Sequence, residues 1–440
     1  MPSPGSPAEG SSNVMRSISK LVRRYSHVNW ALSDQALVSC ANFANGILLA
    51  RYLGITEFGL FTLAWLVLEF SLNLQGTMMT TPMLSIGAKK SGVDAQRYFG
   101  AVIASHLALS AMTSAALFLG VLIYDALFHG NQYSSLALPL SVAAWAANVQ
   151  YFLRRYAFVR GMPFVAFISD FCRYSIQLGT LIWLFETTEM DSEGVLLVIG
   201  CAAIFALVPG SYLLWPVKFD RKELSEMARR HWHFSKWLVP STLLNWGVGN
   251  LFIVAAGAML GAAAVGSMKA AQNIVGISHI LMLGLENVAP ISAARRYHAS
   301  GGPALSRYLV RFTVLGGSAM ALIIGLASIA PDFLLRVIYG SEFEGQGYLV
   351  RWWCFIYFFV FLAVPPRIGL RTLEHTRPIF LQNLYLSALS LAIFYPMITN
   401  FEIIGVMVGL SVIQVLRFGI LTLSYRKRLA AIGEDGTIKR

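Results

Sequence analysis

A Leu-Gly pair that closes one long apolar run and opens another occurs twice in this chain of 440 residues. The first copy lies in Ala50-Arg51-Tyr52-Leu53-Gly54-Ile55-Thr56-Glu57-Phe58-Gly59-Leu60-Phe61, between apolar runs at 28–49 and 59–86. Each run exceeds the roughly 20 residues that a helix needs to cross a bilayer. Gly54 and Gly59 bracket a break where a helix can stop and restart, because glycine accepts the φ values such a turn demands. In the second copy Leu260-Gly261 answers Leu53-Gly54, Val265-Gly266 answers Phe58-Gly59, Ala271 answers Ala64 and Arg296 answers Lys89. Both copies end on basic pairs, Lys89-Lys90 and Arg295-Arg296. The pattern predicts a duplicated membrane unit.

Composition agrees. Hydrophobic residues make up 56% and charged residues 13%, against about a quarter charged in soluble domains. The formal charge of +12 is spread over short loops between apolar runs, with no separate soluble domain to carry it. It therefore reads as a topology signal, and nucleic acid is not expected as a partner.

The spans fall at 28–52, 59–86, 98–126, 134–158, 163–185 and 194–217, then 235–260, 264–293, 308–330, 346–371, 377–399 and 402–425. This predicts an all-α polytopic protein of about 12 helices. Residues 1–27 read as a largely disordered tail, 28–217 as one six-helix bundle and 218–234 as a linker. Residues 235–425 read as the second bundle and 426–440 as a tail. No small-residue cleavage site follows the first basic cluster, Arg16, Lys20, Arg23 and Arg24, at signal-peptide distance. Most of the 34 Lys and Arg sit in the tails and even loops. The odd loops carry Glu186, Glu189, Asp191, Glu193, Asp332, Glu342, Glu344 and Glu402. Both termini are therefore expected in the cytoplasm, with the bundles related by a pseudo-two-fold axis along the membrane normal. In the connector, Leu224, Met227 and Ala228 fall at helical spacing, so 218–233 is either a solvated linker or a short amphipathic helix on the inner membrane face.

The first break, read as Ala50, Arg51, Leu53, Gly54, Phe58, Gly59 and Phe61, resembles the AR-x-LG-x-x-x-FG-x-F segment of bacterial polysaccharide flippases. These are the O-antigen and teichoic-acid exporters of the multidrug, oligosaccharidyl-lipid and polysaccharide exporter superfamily. Many relatives carry proline after Leu-Gly, where this chain has Ile55. The resemblance implies a flippase of the bacterial inner membrane. It would carry a polyprenyl-diphosphate-linked oligosaccharide between leaflets by alternating access, beside polysaccharide assembly proteins.

Ionisable residues inside a membrane are costly and mark functional candidates. The acids are Asp34, Glu69, Asp170 and Glu286; the bases are Arg173, Lys269, Arg351 and Arg417. Asp170 and Arg173 are three apart, so they share a helix face and either neutralise each other or serve transport. Arg51, Lys269 and Arg351 lie near outer ends, where long side chains can snorkel to the interface. Glu69 has no basic residue within one turn, and desolvation disfavours its charged form. That suits H+ or Na+ coupling, with Asp34 and Asp170 as further candidates, and suits a structural acid equally. No other cofactor is expected.

Arg154 and Arg155 in the first half answer Arg367 and Arg371 in the second. With Arg173, these guanidinium forks match a diphosphate, and they match anchoring to acidic membrane lipids as well. Asn42 and Asn45 in the first span resemble Asn245 and Asn250 in the seventh, which predicts that both helices line a polar cleft or bond to neighbours. Cys40, Cys172, Cys201 and Cys354 lack ligand spacing and read as packing residues. His231 and His233 make a poor metal site, and His106, His279 and His375 are isolated. There is no P-loop, and no enzyme motif stands out. A membrane polymerase or ligase usually presents a large outer loop, which is lacking here. The rivals that stay open are a cation-coupled multidrug exporter of the same superfamily, that membrane polymerase or ligase, and a non-transporting scaffold of a polysaccharide assembly complex.

Overall fold

In the computed structural model of the protein, residues 8–128, 133–214, 218 and 220–438 are described; among them no strand occurs. The α-helices are α1 (Ala8–Gln75), α2 (Thr81–Gly87), α3 (Gly92–Phe128), α4 (Ala137–Val159), α5 (Pro163–Thr187), α6 (Ser192–Phe205) and α7 (Arg221–Ser235). They continue as α8 (Leu238–Leu260), α9 (Ala262–Val275), α10 (Ile277–Ile329), α11 (Pro331–Tyr339), α12 (Gly347–Leu362), α13 (Val364–Thr372) and α14 (Arg377–Ile438). Helix is the form these runs must take, because a backbone in lipid has to satisfy its own N–H and C=O groups.

Among the described residues, 8 stretches are long and apolar enough to cross a membrane. Three of them hide a break. Ala289–Ile329 turns at Ser300–Gly301. Asn29–Gly87 turns at Gly54 (φ 75°, ψ 173°), and Arg377–Ile432 turns at Glu402 (φ 50°, ψ −132°). Each of the latter two therefore supplies two crossings. Helix α5, made polar by Asp170 and Arg173, and the stretch from α9 to the Ser300–Gly301 break complete the 12. After Gly301 the helix restarts with Pro303 in its first turn, where proline's missing N–H costs nothing. Helix α1 begins at Ala8, so the backbone of 8–27, expected as disordered tail, is helical. Arg, Lys, Leu and Met, all good helix formers, recur there.

The sequence repeat is a conformational repeat. Gly261 has φ 88° and ψ 171°, matching Gly54. This region of backbone space is open essentially to glycine alone.

The chain forms two compact units. The first comprises Met1–Asn42, Ser71–Thr187 and Leu196–Ser235. Its core includes Met83, Tyr98, Phe99, Phe152, Tyr156, Val165 and Met227. Met227 belongs to the connector, which is a docked helix and not a solvated linker. Met227, His231 and Ser235 are buried along one stripe of α7. The Tyr98 hydroxyl lies 2.8 Å from His231 Nε2, and Ser235 Oγ donates to the Thr77 carbonyl at 2.8 Å. Of the three apolar residues that suggested an interfacial helix, Met227 is buried and Leu224 packs against the same core, while Ala228 is exposed.

The second unit comprises Phe43–Phe70, Thr188–Val195 and Lys236–Arg440. Phe43–Phe70 and Thr188–Val195 were expected in the first bundle. Hydrogen bonds and close packing hold them in the second. Glu342 Oε2 accepts the Ile55 N–H at 3.3 Å, and Glu57 Oε2 accepts the Ser192 N–H at 3.0 Å and its hydroxyl at 2.8 Å. Gly59 lies against Ala262, and Gly266 against Ile55. Elsewhere in this unit Trp353 Nε1 donates to the Met268 carbonyl at 2.9 Å.

Candidate functional site

In the first unit α1, α4 and α5 bring Asp34, Arg154 and Asp170 together. Asp34 and Asp170 are 0% and 2% exposed. Arg154 Nε donates to Asp34 Oδ2 at 3.1 Å and lies 2.7 Å from Asp170 Oδ2, while its terminal NH2 group also donates to Asp34. One guanidinium therefore serves two carboxylates, as buried charge requires a hydrogen-bonded partner.

Gln150, one helical turn before Arg154, extends the network. Its amide donates to Asp170 Oδ1 at 2.6 Å, and its carbonyl oxygen accepts from Arg173 at 3.0 Å. The expected local neutralisation of Asp170 by Arg173 is thus replaced. Asp170 pairs with Arg154, and Arg173 stands one link further along through Gln150. The guanidinium of Arg173 also covers the Tyr174 ring at 5.3 Å, and the Tyr174 hydroxyl donates to Asn42 Oδ1 at 3.3 Å. Arg154, expected as a phosphate fork, has its donors taken by carboxylates. Arg155 points elsewhere. It lies over the Tyr151 ring at 5.1 Å, and among the described residues its buried Nε has no hydrogen-bond partner.

The second unit holds a cavity of about 400 Å³. Thr62, Glu69, Asn250, Lys269, Gln272 and Gln414 supply its polar lining, and Trp353, Tyr357, Ile253 and Ile356 its apolar walls. Lys269, expected to snorkel, turns into this cavity and donates to Gln272 Oε1 at 3.0 Å. The acid and the base that sequence treats separately therefore share one chamber. Arg417 donates to Gln414 Oε1 at 3.2 Å behind the wall.

The remaining candidates scatter. Asn250 lines the cavity, Asn45 is buried, and Asn42 and Asn245 are exposed. Arg367 and Arg371 lie on α13, the first half-buried and the second exposed. The side chains of Glu286 and His279 lie outside the described residues. No cluster that could hold a metal ion occurs among the described residues. Sequence reasoning passed over Gln150, although a glutamine one turn before Arg154 in an apolar span was a signal in plain view.

The chain shares its fold with solved MATE-type transporters of the MOP superfamily. Three solved structures show the likeness. An inward-facing multidrug resistance MATE family transporter superposes with a TM-score of 0.74 at 12% identity, covering 92% of this chain and 99% of that one. An outward-facing structure of a multidrug resistance MATE family transporter gives 0.59 at 14%, covering 92% and 95%. A MOP superfamily transporter from Pyrococcus furiosus, described as having a binding pocket of reverse polarity that suggests a different function, gives 0.59 at 13%, covering 92% and 94%. No family model matches the chain, and no curated protein matches it in sequence.

Proposed function

We propose that this protein is a membrane transporter of the alternating-access type whose substrate is a polyprenyl-diphosphate-linked oligosaccharide. The fold likeness to inward- and outward-facing transporters supports the first half. One observation carries the second: Asp34 and Asp170 are both consumed by Arg154. The first unit is then left with Arg155 and Arg173, whose buried Nε atoms have no hydrogen-bond partner among the described residues, to meet an anion. In the second unit Glu69 faces Lys269, so its cavity offers no net negative charge. The flippase-like segment around Gly54 and Gly59 supports the same substrate class.

In this reading Asp34, Asp170 and Glu69 couple transport to H+ or Na+. A proton added to one carboxylate of the first unit would leave Arg154 to the other, giving the network two arrangements. The protein would sit in the bacterial inner membrane with both termini cytoplasmic, beside polysaccharide assembly proteins.

A second reading, a cation-coupled multidrug exporter, is favoured by the multidrug transporters among the structural neighbours. Glu69 beside Trp353 and Tyr357 could receive a lipophilic cation. Thermal-shift titration of the purified protein separates the two. Farnesyl diphosphate carrying a disaccharide should stabilise it, and tetraphenylphosphonium should not. Stabilisation by the cation alone would favour the exporter.

A further inference from the structure

A second cavity, of about 420 Å³, lies between the start of α3 and the docked connector helix α7. Lys90, Tyr98, Glu223, Glu226, Met227, Arg229, Arg230 and His233 line it. None of these residues belongs to the network or the cavity assigned to transport. By the distribution of Lys and Arg along the chain, this face is the cytoplasmic one.

The cleft pairs one committed cation with a cationic helix face. Lys90 is committed: its ammonium pairs with Glu223 at 2.9 Å and lies over the Tyr98 ring at 4.8 Å. That leaves Arg229, Arg230 and His233 against Glu226. The chain just before α7 is held against α3, since Lys218 N donates to the Gln96 carbonyl at 3.2 Å and a Cβ on Gly100 would fall 2.3 Å from the Lys218 carbonyl oxygen. On the same helix Trp232 is 59% exposed. Large exposed aromatics next to arginines are the residues of the membrane–water interface, where tryptophan lies at headgroup depth.

We propose that this cleft binds the phosphate of an anionic phospholipid of the inner leaflet. Arg229 and Arg230 present planar donor forks to the phosphate oxygens. Only Lys236 and Trp237 separate α7 from α8, so a bound lipid fastens the helix that leads into α8. The assignment does not depend on what the protein transports.

The test uses the full-length protein in a neutral detergent, titrated separately with phosphatidylglycerol, phosphatidylcholine and inorganic phosphate. Thermal midpoint and native mass spectrometry of retained lipid are read together. Phosphatidylglycerol should raise the midpoint and stay bound, and both effects should be lost in Arg229→Gln/Arg230→Gln. They should persist in Arg221→Gln/Lys222→Gln, which removes equal charge from the same helix outside the cleft. If the double cleft variant does not accumulate, Arg229→Gln alone carries the comparison. Protection by inorganic phosphate with the same variant dependence would keep the anion site and assign it to a soluble phosphate. Equal loss in both double variants, or no preference for phosphatidylglycerol over phosphatidylcholine, would overturn the proposal.

Discussion

Gly59 and Gly266, which hold matching places in the two sequence repeats, pack backbone against backbone. A Cβ on Gly59 would fall 1.8 Å from the Ala262 carbonyl oxygen, and one on Gly266 would fall 2.0 Å from that of Ile55. Neither clash can be relieved by rotating a side chain. Gly59→Ala and Gly266→Ala should each cost at least about 1–3 kcal/mol, the range for overpacking a tight contact. The thermal midpoint of purified protein reads this directly, with Gly179→Ala, at an open helical position, as the control that should not move. Equal midpoints for all three variants would contradict the close crossing.

The shared guanidinium gives a sharper expectation. Arg154→Met should leave Asp34 and Asp170 buried without their cation and destabilise the fold by about 3–5 kcal/mol. Adding Asp34→Asn and Asp170→Asn removes the stranded charges and should restore most of the midpoint. Failure of the triple variant to recover would show that Arg154 acts through packing and not through these two acids.

Two helix ends test the backbone alone. At Gly161 (φ 71°) the Met162 N–H reaches back to the Ala157 carbonyl at 2.9 Å, and at Glu374 (φ 53°) the His375 N–H reaches the Leu370 carbonyl at 2.9 Å. Both helix ends make the same wrap, but only one has the residue suited to it. Glu374 is exposed, so Glu374→Gly should stabilise by about 0.5–1 kcal/mol, whereas Gly161→Ala should cost roughly 1–2 kcal/mol. Chemical or thermal unfolding of the two variants checks the opposite signs.

Docking of α7 should depend on pH. Burial pushes His231 down to about 4, against the Met78 backbone hydrogen bond that raises it and with the nearby Arg230 charge adding a smaller push downward. Free histidine titrates near 6.5. Between those values the undocked helix takes up a proton that the docked form refuses, so docking weakens as pH falls through that window. Amide exchange across Arg221–Ser235, corrected for intrinsic rates, should be faster at pH 5 than at pH 7.5. Unchanged protection would mean that the Tyr98–His231 contact does not hold the helix.

Much of the fold was legible because lipid leaves an apolar run only one local structure. The duplicated Leu-Gly breaks were legible for a related reason: only glycine accepts the backbone found at both Gly54 and Gly261. The break at Glu402 was legible as the gap between the runs 377–399 and 402–425, but its positive φ was not, since a glutamate carries no general signal for it. The site was legible as an inventory and not as a set of pairings. Helical spacing pointed from Asp170 to Arg173, three residues away, yet α4 supplied a closer cation in Arg154 and a relay in Gln150. Lys269 was read from its depth along the chain, and depth does not say which face of a helix meets a cavity. The connector's stripe was seen, but a stripe is the same whether lipid or protein covers it.

The account rests on an anionic lipid-linked substrate, and transport in proteoliposomes addresses that most directly. A fluorescent polyprenyl-diphosphate disaccharide is placed in both leaflets, and a membrane-impermeant quencher reports the fraction reaching the outer surface; ethidium uptake is followed in parallel. The parent protein should expose the inner-leaflet lipid and leave ethidium unmoved. Arg155→Lys keeps the charge but removes the bidentate fork, and losing one charge-assisted hydrogen bond costs on the order of 1.5–3 kcal/mol. Its apparent affinity for the lipid should therefore fall roughly tenfold or more, with topology unchanged. Ethidium transport driven by an ion gradient, with the lipid left in place, would contradict the account.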